Sequence, residues 1–247
     1  MIKSAISYAS ACLVLFLGWK LLAGALSSSV LPQPEAALTV FLKALATARF
    51  WEHMGASLYR AGTGMLLAWM IGFPLGVCMG GNQRIDSLLS PLVSLTYPVP
   101  KIVLLPVVLL ILGLGDLSKI AMITLILSYQ VLVTTRDGVR HLPARYVDSI
   151  RAMGASGAQI IREVYIPAAL PAGFTALRIN SGVSIAVLFF VESFATSTGL
   201  GYMIMDAWGR MDYEGMFAGI FGMSLLGVLL FESVNMLEQR ICRWKER

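Results

Sequence analysis

Long apolar segments, separated by shorter polar ones, occupy most of the chain. The apolar runs of membrane-crossing length lie at about residues 4–26, 57–80, 88–112, 119–136, 173–195 and 215–236. None of them alternates as strictly as a strand of a membrane barrel. Because lipid offers no hydrogen-bond partner to free backbone groups, each run is predicted to be helical. The pattern therefore predicts an all-α, polytopic membrane protein with about six transmembrane helices.

Two of these runs need separate comment. The run 88–112 holds Pro91, Pro98, Pro100 and Pro106, which interrupt helical hydrogen bonding, so it is predicted to be two pieces shielded by neighbouring protein. The run 4–26 imitates a secretory signal peptide. We interpret it as an uncleaved first helix, because it is long for a signal core and further spans follow.

Composition supports a membrane protein and excludes several other classes. Of the 247 residues, 57% are hydrophobic and 13% are charged, about half the charged fraction typical of a soluble domain. The net charge of +5 is not arranged as a basic stripe with interleaved aromatics, so no nucleic-acid partner is expected. Cys12, Cys78 and Cys242 are isolated, which indicates neither a disulfide framework nor a metal site.

The distribution of cations predicts the orientation. Six crossings place both termini on one side, and that side holds eleven cations against four on the other. The positive-inside rule then places both termini in the cytoplasm. The eleven are Lys3, Arg84, Arg136, Arg140, Arg145, Arg151, Arg162, Arg240, Arg243, Lys245 and Arg247; the four are Lys43, Arg49, Lys119 and Arg210.

The connection 137–172 is long and is predicted to form two short cytoplasmic helices. Pro143 suits the first turn of the first helix, and Gly154 suits its end. Ser156 followed by Gln159 is a capping-box pattern that begins the second helix. Periodicity alone favours a hairpin lying on the bilayer. A helical knob that docks into a groove of a soluble partner is the alternative.

The residues of this connection resemble the EAA loop of bacterial ABC import permeases. That loop has Glu-Ala-Ala, three residues, Gly, nine residues and Ile-x-Leu-Pro. This chain has Asp148-Ser149-Ile150, then Gly154, then Val164-Tyr165-Ile166-Pro167 at the same spacings. Ser149, Ile150 and Ile166 depart from the literal motif without altering its spacing.

Further segments resemble the nitrate/sulfonate/taurine-type permeases in the same order along the chain, over most of residues 31–247. They are Leu31-Pro32-Gln33-Pro34, Ser57-Leu58-Tyr59-Arg60, Pro98-Val99-Pro100-Lys101, Leu114-Gly115-Asp116-Leu117-Ser118-Lys119, and Glu192 with Ser197-Thr198-Gly199-Leu200-Gly201-Tyr202. The resemblance implies one permease domain, 1–247, with a core at 57–236, in the bacterial inner membrane.

The resemblance also implies partners and a mechanism. Two copies pair in lipid, two cytosolic subunits bind ATP and Mg, and an extracytoplasmic binding protein delivers a small solute, such as nitrate, a sulfonate or taurine. The chain itself would hold no cofactor and catalyse nothing, and it contains no GxxxxGK[ST] phosphate loop. Residues 147–157 would be the coupling helix, and the implied coupling residues are Asp148, Arg151, Ala152, Met153, Gly154, Ala155 and Pro167.

Charges inside the predicted spans are functional candidates, because they are costly in lipid. Helix geometry places Arg60 and Glu192 near the outer ends of their spans, where they are expected to pair in a structural role. Lys101 falls near mid-depth. It either attracts an anion in transit or caps backbone carbonyls of the broken segment, and the sequence leaves both open.

Two other function classes compete with the import permease. A secondary transporter or channel would work without an ATPase, although no inverted repeats are evident. A membrane scaffold would use the connection 137–172 only for docking. A membrane enzyme is disfavoured, because His53 and His141 are the only histidines and lie in predicted loops on opposite sides.

Overall fold

The computed structural model describes residues 2–26, 30–194 and 196–246, with side chains described at 13–26, 30–194 and 196–244. No β-strand occurs in these ranges. Lys3, Lys245 and Arg247, which entered the orientation prediction, lie outside the described side chains. The α-helices of the described residues are α1 (Ile2–Leu26), α2 (Pro34–Leu45), α3 (Ala48–Gly81), α4 (Gln83–Thr96), α5 (Leu105–Leu112), α6 (Asp116–Arg140), α7 (Ala144–Ala152), α8 (Gly157–Ile160), α9 (Ile166–Ile179), α10 (Ser181–Glu192), α11 (Leu200–Gly209) and α12 (Tyr213–Ile241).

Several of these helices are long and apolar enough to cross a membrane. Within the described residues, α3, α6, the run Gly157–Ile179 and α12 meet this condition. Helix α4 and Lys101–Leu112 meet it only as a pair, which is bent by 80° at the break between them. The predicted interruption of the proline-rich run is therefore confirmed, as is the all-α membrane fold. The apolar helices Leu13–Leu26 and Ser181–Glu192 are shorter.

The predicted span 173–195 is wrong in its boundaries. Helix α9 ends at Ile179 and α10 starts at Ser181, with Asn180 between them at φ −80° and ψ 1°. The Asn180 amide donates to the carbonyl oxygen of Ala176 at 2.7 Å, so the side chain competes with the helical backbone pattern.

The predicted loop 137–172 is longer than the observed one at both ends. Helix α6 extends to Arg140, and the helical run that begins at Gly157 continues to Ile179. A π-helical turn at Ile161–Tyr165 joins α8 to α9, and Pro167 follows in the first turn of α9. A proline is tolerated there, since its missing N–H leaves few intrahelical bonds unmade. The connection between α6 and α8 is therefore only 141–156.

The chain divides into two compact units. Unit 1 comprises Met1–Ser57 with Ser197–Ser224, and unit 2 comprises Leu58–Thr196 with Leu225–Arg247. Unit 1 is held by aromatic contacts, among them Phe41 with Phe50 at 5.9 Å and Trp19 with Phe217 at 5.1 Å between ring centroids. Lys20 donates to Glu35, which lowers the pKa of that carboxyl below its usual value.

Unit 2 is built on a very close approach of α3 to α6. Gly72, Gly76 and Gly80 recur every four residues on the α3 face that meets α6. A methyl group added at Gly76 would lie 2.6 Å from the carbonyl oxygen of Leu132, and the other two glycines are equally constrained. Such small-residue stripes let helix backbones pack directly, which supplies association energy where lipid removes the hydrophobic driving force.

Candidate functional site

Helix α7 stands out in unit 2 because none of its residues is buried. Its end at Gly154 forms a complete Schellman motif: the Gly154 N–H donates to the carbonyl of Arg151 at 3.0 Å, and the Ala155 N–H donates to that of Ile150 at 3.2 Å. Gly154 has φ +83°, a left-handed conformation that side chains disfavour. The predicted helix end at this glycine is therefore confirmed.

The next helix, α8, begins shortly after this glycine and is capped at its start. The Ser156 hydroxyl caps the backbone of Gln159, and the Gln159 side chain accepts from the Ser156 N–H at 2.7 Å. This is the predicted capping box. Pro143 differs from expectation, because it is the N-cap residue before α7 instead of lying in its first turn. Hydrogen bonds therefore fix the connection both at the end of α7 and at the start of α8.

The coupling residues implied by the resemblance lie along this connection, except Pro167. Asp148 and Arg151 are on the exposed surface of α7, with side-chain atoms 3.8 Å apart. Ala152 ends α7, and Met153 beside it is 77% exposed. Pro167 is the second residue of α9, in a different element. The structure assigns these residues positions and leaves their coupling role a prediction.

The π-helical turn that follows the connection rests against the end of α3. The Tyr165 ring of this turn lies so close to Gly81 that an added methyl group would be 2.7 Å from it. Beside this contact is a cavity of about 230 Å³, whose lining includes Arg151, Cys78 and Ile160. The helix that leaves the connection is therefore packed on α3, while α7 itself buries none of its residues.

A charged cluster forms inside unit 2 around Arg60. Its guanidinium binds Glu192 and Asp116, with N–O distances of 2.7 Å in each pair. Arg60 is 3% exposed and Glu192 is 1% exposed. The expected pairing of Arg60 with Glu192 is confirmed, whereas sequence reasoning missed Asp116.

Lys119, counted among the four cations of the outer side, lies in the first turn of α6 and is 1% exposed. Its ammonium donates to the carbonyl oxygens of Leu114 at 2.6 Å and Gly115 at 3.0 Å. It thereby satisfies backbone groups just before α6, where the chain reverses at Gly113.

Lys101 begins the 3₁₀ helix Lys101–Leu104 that precedes α5. Its ammonium donates to the carbonyl oxygens of Thr96 at 3.1 Å and Tyr97 at 3.3 Å. It also lies 4.0 Å from the centre of the Tyr129 ring, within cation–π range. The carbonyl contacts are those expected if Lys101 caps the broken segment.

A second charged cluster, also missed from the sequence, joins α4 to α6. Asp86 accepts from Arg136 at 2.5 Å and 2.9 Å, and from Arg140 at 2.8 Å. Arg136 was counted as a loop cation, but it lies within α6. The only sequence signal was a lone carboxylate, Asp86, just before an apolar run.

Comparison with known families matches the chain to one of them. The model of the family described as "Binding-protein-dependent transport system inner membrane component" matches residues 68–243, more than half of the chain. The matched stretch includes α6, the connection with Gly154, and α9.

Relatives and a solved structure agree with this match. A relative in Bacillus subtilis (strain 168), named for aliphatic sulfonates transport, is 31% identical over 90% of this chain and 80% of its own length. The taurine transport system permease protein of Escherichia coli (strain K12) is 31% identical over 89% of this chain and 82% of its own. A chain of the MetNI methionine ABC transporter, in an inward-facing conformation, has the same fold, with a TM-score of 0.64 and 21% identity over 76% of this chain and 94% of its own.

Family membership implies work with ATP-binding subunits and a binding protein. The chain belongs to the family of binding-protein-dependent transport system inner membrane components, and it is the permease subunit of an ABC importer.

Proposed function

We propose that α7 and the turn at Gly154 couple this permease to its ATP-binding subunits. The observation that carries the proposal is that α7 buries none of its residues while its end is held by a Schellman motif. Exposed side chains such as Tyr146 and Met153 leave an amphipathic surface for a partner groove. Asp148 and Arg151 would supply the polar contacts of that interface.

The connection can transmit a displacement because it is short and hydrogen-bonded. From Ser156 the chain enters directly the run Gly157–Ile179, which contains the π-helical turn and is long and apolar enough to cross a membrane. A movement of α7 would therefore reach that span through one glycine turn. Pro167 would act inside the span, at the junction between the π-helical turn and α9.

The remaining parts of the proposal follow from charge and family. With α7 on the cytoplasmic side, both termini are cytoplasmic, in accord with the positive-inside count. Two copies of the single permease domain, 1–247, would enclose the path. ATP and Mg would bind in the partner subunits, and this chain would be non-catalytic. The solute would be a small organic anion, because two relatives are named for sulfonates and taurine.

The test compares two neighbouring glycines. Gly154→Pro removes the N–H that bonds to Arg151 and cannot adopt φ +83°, whereas Gly157→Ala meets no atom within 4 Å and lies in ordinary helical structure. Both variants are reconstituted with ATP-binding subunits and binding protein. We expect normal insertion of each, at least a tenfold loss of ATP-driven uptake in Gly154→Pro, and near-normal uptake in Gly157→Ala. Normal uptake by an inserted Gly154→Pro variant would refute the coupling role.

A further inference from the structure

A cavity of about 270 Å³ lies in unit 2 beside the break in the proline-rich span. Four polar side chains face it: Tyr97, Lys101, Tyr129 and Gln130. Tyr129 is the fourteenth of the 25 residues of α6, so the cavity is about midway along that helix. Polar and ionisable groups at this depth are costly in a bilayer, and they are retained where a path or ligand uses them.

The ammonium of Lys101 brings an uncompensated positive charge to this cavity. Two of its three N–H groups are used by backbone carbonyls, and the Tyr129 ring lies beside it. Among the residues that the structure describes, Lys101 forms no ion pair with a carboxylate. The carbonyl dipoles hold the cation in place without cancelling its charge.

Neutral hydrogen-bonding groups surround this charge. The Tyr129 hydroxyl is 3.0 Å from the Thr96 hydroxyl oxygen, and the Tyr97 hydroxyl donates to the Gln130 carbonyl oxygen at 3.4 Å. The Gln130 NH₂ therefore remains a donor for the cavity. The rest of the lining is apolar and includes Val99, Ile126 and Val187. The cavity thus combines one cation and hydrogen-bond donors with hydrocarbon side chains.

We infer that this cavity binds the transported solute, a small organic anion with a short apolar body, during its passage. The inference rests on the proposed function and assigns its site. The anionic group would meet Lys101 and the Gln130 amide, and the apolar body would lie on Val99 and Val187. The volume of about 270 Å³ lies just below the range for drug-sized ligands, which suits a small solute.

Binding of a defined probe to the purified, full-length chain in nanodiscs tests the site. The probe is radiolabelled ethanesulfonate, and dimethyl sulfone is its uncharged counterpart of similar size. Lys101→Met removes the charge, and Val99→Trp fills the cavity while keeping Lys101. The matched controls are Lys43→Met, at an exposed cation of α2, and Val103→Trp, at an exposed position of the same 3₁₀ helix that does not line the cavity.

We expect the dissociation constant for ethanesulfonate to rise at least tenfold in Lys101→Met and Val99→Trp, and to stay unchanged in both controls. Equal binding of dimethyl sulfone, or wild-type affinity in Val99→Trp, would overturn the assignment. If Lys101→Met fails to fold, Val99→Trp decides alone.

Uptake by the complete transporter separates this inference from the proposed function. A wild-type transporter that accumulates no ethanesulfonate with ATP would refute import of a small organic anion and, with it, the site. Uptake that is present and has the same KM in wild type and Val99→Trp would refute the cavity alone.

Discussion

Arg60 and Lys101 are two cations of the predicted spans with opposite surroundings. Arg60 is buried and bound by two carboxylates, each at 2.7 Å. Lys101 is half-buried and bound by two carbonyl oxygens and an aromatic ring. The carboxylates cancel the charge of Arg60, whereas carbonyls only orient the charge of Lys101. The comparison indicates that Arg60 joins helices and that Lys101 is available to a ligand.

The largest expected effect comes from breaking the buried pair. Glu192→Leu removes the buried carboxylate partner of the Arg60 guanidinium and keeps Asp116, a carboxylate that is half-exposed. Losing one partner of a buried ion pair costs about 3–5 kcal/mol, because the other charge stays desolvated. Unfolding of the purified chain in mixed detergent micelles measures the loss, and Glu232→Leu, at an exposed position of α12, is the control. Equal stability of the two variants would contradict a structural role for the pair.

Exchanging the two charges tests whether the pair acts directly. Arg60→Glu combined with Glu192→Arg restores opposite charges at 2.7 Å, so it should recover part of the stability that either single reversal removes. Recovery stays partial, since the new carboxylate at position 60 would face Asp116. A double variant no more stable than the worse single variant would argue against direct pairing.

Lys101→Met should lower the stability of the chain only moderately, although it should weaken solute binding at least tenfold. The change removes two hydrogen bonds to carbonyls and a cation–π contact, which are worth about 2 kcal/mol together in a partly exposed site. The same micelle unfolding measures this loss. A loss as large as that of Glu192→Leu would make Lys101 a structural residue and would remove the contrast with Arg60.

The smallest effect is expected at the exposed edge of the Arg60 cluster. Asp116→Asn keeps a hydrogen-bond acceptor near the guanidinium and removes a charge that is half-exposed to solvent. Pairs of this kind contribute about 0.2–1 kcal/mol. A shift of only a few degrees in the melting temperature is expected. A large destabilisation would show that Asp116, and not Glu192, is the main partner of Arg60.

Local patterns in the sequence predicted the features that depend on nearby residues. The end of α7 at Gly154 and the Ser156–Gln159 capping box require only residues within one or two turns. The pairing of Arg60 with Glu192 also followed, because helix length alone placed both charges at the same depth. These features, the proline break and the all-α fold were therefore accessible before the structure.

Other features depend on tertiary packing, and the sequence did not reveal them. Lys119 and Arg136 were counted only as cations of the two sides of the membrane, whereas the structure shows their partners: a carbonyl oxygen just before α6 for Lys119, and Asp86 for Arg136. The break at Asn180 has no proline beside it. The cavity beside Lys101 requires the segment between α4 and α5 to converge with α6 and α10, which no local pattern specifies.

At the left-handed turn, Gly154 is required by its backbone conformation and not by a lack of space for a side chain. No atom lies within 4 Å of the position that a side chain would first occupy, so space is not what restricts this residue. Alanine and leucine should therefore be about equally harmful there, with the whole penalty appearing at the first carbon. At Gly76 the penalty should instead grow with every atom added. In a series of substitutions of increasing size, the loss of stability should be nearly constant at Gly154 and should increase with side-chain size at Gly76.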